Sequence, residues 1–202
     1  MRDKTWSTKI DSGILEGVIG LTLLLVGLFG ALFPILGVTG PFPPTKTREV
    51  HIDGVAQVHG LTPSGGLTLR GVHRAELVLA HPDLGQRVLL ILPDLVGTLL
   101  FLSILTILLR VARTFREGDV FAPHNSTRLM VIAVEVLLIG TIPPLLTVVT
   151  TNALVSGTKL AGAVSTVYQT SMQYVLLAVL IAAVAWAFRH GTRLRADTEG
   201  LV

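Results

Sequence analysis

Three sets of side chains in this chain are of types that could do chemistry. The histidines His51, His59, His73 and His81 are spaced by eight on either side of a Pro63-Ser64-Gly65-Gly66 turn. A hairpin there could bring imidazoles together, and neutral imidazoles bind zinc or copper. No cysteine or carboxylate pattern completes a metal motif, so these four are weak candidates, expected to face water on exposed strands. Glu135 is a carboxyl inside an apolar run, where a charge is costly. It is either a proton or cation ligand or, as expected here, a group satisfied by a polar neighbour on another helix. The third set is arginine: Arg110, Arg113, Arg116, Arg128 and Arg189 can dock a soluble partner or serve as anchors in anionic lipid. There is no nucleophile elbow, phosphate loop, paired zinc histidines on a helix or paired carboxylates at catalytic spacing. An enzyme is therefore not expected, nor a cofactor.

The elements that must position these groups are membrane helices. Half of the 202 residues are hydrophobic, 14% are charged and the mean hydropathy is +0.70, outside the range of ordinary soluble domains. Four runs can cross a hydrocarbon core of about 30 Å. They cover about 13–37, 88–109, 129–149 and 170–188, within a single integral membrane domain over 1–202. Arg2, Lys4 and Lys9 precede the first run as in a secretory signal. Its apolar core is about twice the usual length and no small-x-small site follows Phe33-Pro34, so it is read as a retained helix.

Ten of the sixteen Lys and Arg lie in segments 1–12, 110–128 and 189–202. Positive residues stay on the cytoplasmic side during insertion, so both termini are expected in the cytoplasm. A basic inner face against anionic lipid accounts for the pI near 9.7 without direct nucleic acid binding.

Between the first two runs, about 40–87, short apolar and polar alternations separated by turn residues predict two to four strands outside the membrane. Gly13, Gly17, Gly20, Gly27 and Ala31 share one face of the first helix and suit close packing within the bundle, or a homo-oligomer. Pro143-Pro144 predicts a kink or an early end at Ile142. Glu16 and Asp94 lie a few residues from helix starts, within reach of the interface.

Two segments repeat a pattern. Phe115-Arg116-Glu117-Gly118-Asp119-Val120-Phe121 and Phe188-Arg189-His190-Gly191-Thr192-Arg193-Leu194 share Phe-Arg-x-Gly-x-x-(Phe/Leu), 73 positions apart, so the chain reads as two related helical hairpins. Gly118 suits a left-handed helix end, with Phe121 folding back into the acyl region. Asn125 or Ser126 suits the cap of the next helix, with Arg128 at the headgroups. Gly191, Leu194 and Asp197 repeat that logic.

With the Asn125-x-x-Arg128-Leu129 entry to the third helix and the closing Asp197, these segments resemble the bacterial four-helix membrane proteins classed as domain of unknown function "twenty-nine seventy-five". The resemblance implies an extracytoplasmic segment after helix one and a small helix-turn-helix regulator as neighbour. It implies no reaction.

The expected fold is an all-α membrane bundle of four transmembrane helices with a small β-rich insertion between helices one and two. The expected setting is the bacterial cytoplasmic membrane. The expected role is regulatory or accessory, with Arg110, Arg113, Phe115, Arg116, Gly118, Phe121, Asn125, Arg128, Phe188, Arg189, Gly191, Leu194 and Asp197 meeting a cytoplasmic transcriptional regulator. The alternative is a small transporter or export helper built on Glu135.

Overall fold

A computed structural model describes residues 4–43, 46–52, 73–117, 122–158, 161, 164–166 and 168–199, without the side chains of 4–12, 51–52, 73–75, 165 and 194–199. Four long apolar helices form an all-α bundle, with a small antiparallel sheet between the first and second. The first rod is α1, Lys4–Val26, a π-helical turn at Gly27–Leu32, and α2, Phe33–Thr39. Strands β1, Thr47–Ile52, and β2, His73–Val78, follow. Then come α3, Leu84–Arg116, α4, Pro123–Val155, the two-residue β3, Val164–Ser165, and α5, Met172–Glu199.

The helices are longer than the apolar runs, because hydropathy reports only the part that needs lipid. At the start of α3, Asp83 and Gln86 form a reciprocal cap: Gln86 N donates to Asp83 Oδ1 at 2.7 Å and Asp83 N donates to Gln86 Oε1 at 3.1 Å. This moves the helix start to Leu84 and leaves Asp94 ten residues inside α3, with an exposed side chain. Asn125 and Ser126 do not cap α4. The helix begins at Pro123, whose missing N–H costs nothing in a first turn. Gly191 does not end α5, which runs through it to Glu199. Among the described residues, glycines of positive φ follow two helix ends, Gly40 with φ 118° after Thr39 and Gly157 with φ 78° just past Val155.

Pro143-Pro144 does not stop α4, which continues unbroken to Val155. Packing holds the turn: Pro143 Cγ lies 3.4 Å from where a Cβ on Gly97 of α3 would sit. Membrane helices carry proline when neighbours fill the space around it. Pro34 has a different effect. It has no N–H for the Gly30 carbonyl, and the chain before it widens into the π-turn, with Phe33 N bonding Leu28 O.

By its contacts the chain divides into two compact units, 1–33 with 94–143 and 170–202, and 34–93 with 144–169. In the first unit, Ile19, Leu105 and Ala112 join α1 to α3, while Ile132, Val136 and Ala178 join α4 to α5. Large apolar side chains such as Leu21, Leu24, Val134, Leu176 and Leu180 point outward, as a lipid-facing surface requires. Close approaches occur where glycine permits them. A Cβ on Gly140 would lie 2.6 Å from Tyr174 Cβ, and one on Gly30 would lie 2.8 Å from Thr98 Cγ2, whereas one on Gly17 would meet nothing within 4 Å. Gly140→Ala is therefore expected to destabilise the bundle by about 1–3 kcal/mol, because Tyr174 Cβ is fixed to its backbone and cannot swing away. Thermal melts in detergent check this, with Gly17→Ala expected to melt like the parent.

In the second unit, β1 and β2 pair from Thr47↔Val78 to Ile52↔His73, and β3 adds to β1 at His51↔Ser165 and Ile52↔Val164. Residues 53–72, with the expected turn, His59 and any further strands, lie outside the described residues.

Candidate functional site

The repeated motifs lie in the first unit, at the ends of α3 and α5 and the start of α4. Asn125, in the first turn of α4, is completely buried. Its Nδ2 donates to Thr114 Oγ1 on α3 at 2.7 Å, and the Thr114 hydroxyl in turn donates to Val111 O at 2.7 Å. Arg128 lies one turn further along α4. It does not simply reach for headgroups: its Nη1 donates to Asn125 Oδ1 at 3.2 Å and to the Arg110 carbonyl at 3.3 Å. The α3–α4 corner is thus tied by a buried amide with an arginine over it, the usual way a polar group is made tolerable inside a fold.

Phe115 and Phe188, the first residues of the two repeats, stack with ring centroids 6.2 Å apart and planes 11° from parallel. Such a pair adds roughly 0.5–1.5 kcal/mol beyond its area. Arg116 Nη1 meets Glu16 Oε2 at 3.0 Å, linking α3 to α1. The arginine is about half exposed, so this pair contributes little to stability. Glu16 Oε1 is buried and accepts nothing from the described residues.

The expected site residues therefore divide. Phe115, Arg116, Asn125, Arg128 and Phe188 are held against other parts of the chain, and Gly191 is half-buried within α5. Arg110, Arg113 and Arg189 are exposed. Gly118 and Phe121 lie outside the described residues, as do the side chains of Leu194 and Asp197.

Glu135 is twelve residues into α4, about 18 Å along the helix at the standard rise. Ser103 of α3 donates its hydroxyl to Glu135 Oε1 at 2.6 Å, and Oε2 is buried without a partner among the described residues. Among the histidines, His81 is exposed. His51 sits opposite Arg74 in the β1–β2 register and His73 opposite Ile52, so the two are not a directly facing pair. Among the described residues no three His, Cys, Asp or Glu come together as a metal group would require.

A second polar centre, which the sequence did not flag, lies in the other unit. Arg48 of β1 donates through Nη2 to the Leu89 and Leu90 carbonyls of α3, at 2.8 and 2.7 Å. Through Nη1 it donates to Thr150 and Thr151 Oγ1 of α4, at 2.6 and 3.2 Å. Both threonines are buried. Pro93 explains the bond to Leu89: it has no N–H to give that carbonyl, and the guanidinium takes the vacant place. The available signal was a proline four residues after Leu89 inside an apolar run.

No curated protein and no solved structure matches the chain. The family profile described as "Protein of unknown function (DUF2975)" matches residues 75–202, a stretch that begins within β2 and contains both Phe-Arg-x-Gly repeats and the Asn125 corner. The match covers more than half of the sequence, and the chain is a multi-pass membrane protein belonging to that family.

Proposed function

We propose that this is a regulatory or accessory protein of the bacterial cytoplasmic membrane, with both termini inside and the strand unit outside. Its basic helix ends would dock a soluble cytoplasmic partner with an acidic surface, such as a small helix-turn-helix regulator. One observation carries the reading. Arg110, Arg113 and Arg193 are exposed and have no acidic partner among the described residues, while the corner beside them is fixed by Asn125, Thr114 and Arg128. A rigid scaffold presenting unpaired guanidinium groups suits a carboxylate-bearing surface. The mechanism is a shift between two helix packings, each favoured by a different occupant. Support for an outer input comes from Arg48, which ties β1 to α3 and α4, two helices that are each continuous for 33 residues.

Affinity purification from native membranes tests this. Arg110→Gln with Arg113→Gln should reduce capture of the cytoplasmic partner by about tenfold or more, at about 1 kcal/mol per charge removed, with melting temperature and orientation unchanged. Capture of the same partners at parental yield would refute the docking role.

A transport or export role has one residue in its favour, Glu135, whose buried Oε2 has no partner among the described residues. The unbroken α4 removes the discontinuous helix on which that reading also relied. Retention of all transport and resistance phenotypes in Glu135→Gln would remove its remaining support.

A further inference from the structure

A groove of about 170 Å³ opens between α4 and α5, lined by Ser126, Thr127 and Met130 on one side and Ala185, Trp186 and Arg189 on the other. We propose that it binds the phosphate of an anionic membrane lipid, with the first part of an acyl chain over its apolar floor.

Three features support this assignment. The first is depth. Trp186 and Arg189 lie fourteen and seventeen residues beyond Met172, about 21 and 26 Å along α5. A hydrocarbon core of about 30 Å, entered near the start of α5, therefore ends close to Arg189. Trp186 is exposed and stacks on His190, with ring centroids 5.2 Å apart, an amphipathic pair of the kind found at headgroup level.

The second feature is chemical. Arg189 is exposed and has no acceptor among the described residues. Thr127 presents a hydroxyl on the facing wall, and the Trp186 indole N–H is a further donor. A guanidinium with neutral donors around it suits a phosphate diester, which accepts several hydrogen bonds and carries one charge. A basic groove between membrane helices is a recognised form of headgroup site.

The third feature separates a lipid from free phosphate. Met130, Ala185 and Trp186 give the groove an apolar floor, with the outward-facing Val131, Val134 and Val184 on the same two helices. A free ion gains nothing from that surface, whereas an acyl chain covers it.

The test uses the full-length protein with Trp6→Phe, which leaves Trp186 as the one tryptophan of the two in the sequence. Its fluorescence is followed in micelles as brominated phosphatidylglycerol or brominated phosphatidylcholine is added. Phosphatidylglycerol should quench at a lipid fraction about fivefold lower than phosphatidylcholine, the effect expected of one arginine near an anionic headgroup. Arg189→Gln should abolish the preference. Arg193→Gln, which lies outside the groove, should keep it, and inorganic phosphate should not compete. Equal quenching by the two lipids, or a preference that survives Arg189→Gln, would overturn the site. Full competition by inorganic phosphate would overturn the lipid assignment. Partner capture is read separately, so the docking proposal stands or falls independently.

Discussion

Replacing Arg48 with Leu is expected to destabilise the strand-bearing unit by about 3 kcal/mol, the largest loss anticipated from any single side chain. Hydrogen bonds made by a charged donor contribute about 1.5–3 kcal/mol each, and Arg48 makes at least four to groups on two helices. The total stays well below four times that figure. Arg48 is half-buried, and Thr150 keeps a hydrogen bond of its own, donated to Leu146 O at 2.7 Å. Arg48→Lys should recover only part of the loss, since a single ammonium cannot reach two carbonyls and two hydroxyls from one planar fork.

The Pro93 explanation makes a sharper demand. Pro93→Ala supplies an amide to Leu89 O, so Arg48→Leu should cost about 1 kcal/mol less in that background. Thermal melts of the four proteins in one detergent give the coupling. A coupling of zero would mean that Arg48 does not compensate the proline.

The second large effect is expected at Asn125. Asn125→Ala should cost about 2 kcal/mol, because it removes a fully buried amide and opens a void at the α3–α4 corner. Thr114→Val should cost a similar amount, since Asn125 Nδ2 then loses the hydroxyl that accepts from it at 2.7 Å. Combining Thr114→Val with Asn125→Leu should cost less than the sum of the two single changes, as matched apolar groups leave no orphaned donor. Strict additivity would show that the two side chains do not act as a pair. Both positions belong to the corner that presents Arg110 and Arg113, so partner capture should fall together with the folded fraction.

The four candidate membrane spans were legible because lipid imposes a length and a composition on each helix, and runs such as Leu129 to Val149 satisfy both. Helix ends were harder to read. They depend on local hydrogen bonds outside the hydrocarbon, and the Asp83-x-x-Gln86 cap sits in a polar stretch that hydropathy ignores. Pro143-Pro144 misled for the converse reason. A proline break follows from the local chain alone, whereas the helix is kept intact by packing against Gly97, 46 positions away.

In the candidate site, the sequence drew attention to Asn125, Arg128 and the two Phe-Arg-x-Gly segments through their spacing. It gave no sign that Asn125 would be buried against Thr114, a residue with nothing unusual in its composition context. Arg48 was missed because its partners lie 41 to 103 positions away and two of them are backbone carbonyls, which are the same for every residue type. Glu135 was noticed for its cost, yet its partner Ser103 is one of many hydroxyls that could have faced it.

The functional proposal rests most directly on which side of the membrane each helix end faces. The chain has no cysteine, so single introduced thiols report without background. In intact cells, an impermeant maleimide should label His81→Cys and Ser156→Cys at once, and should reach His124→Cys and Arg193→Cys only after permeabilisation. Labelling of His124→Cys or Arg193→Cys in intact cells would put the arginines outside and contradict the proposal.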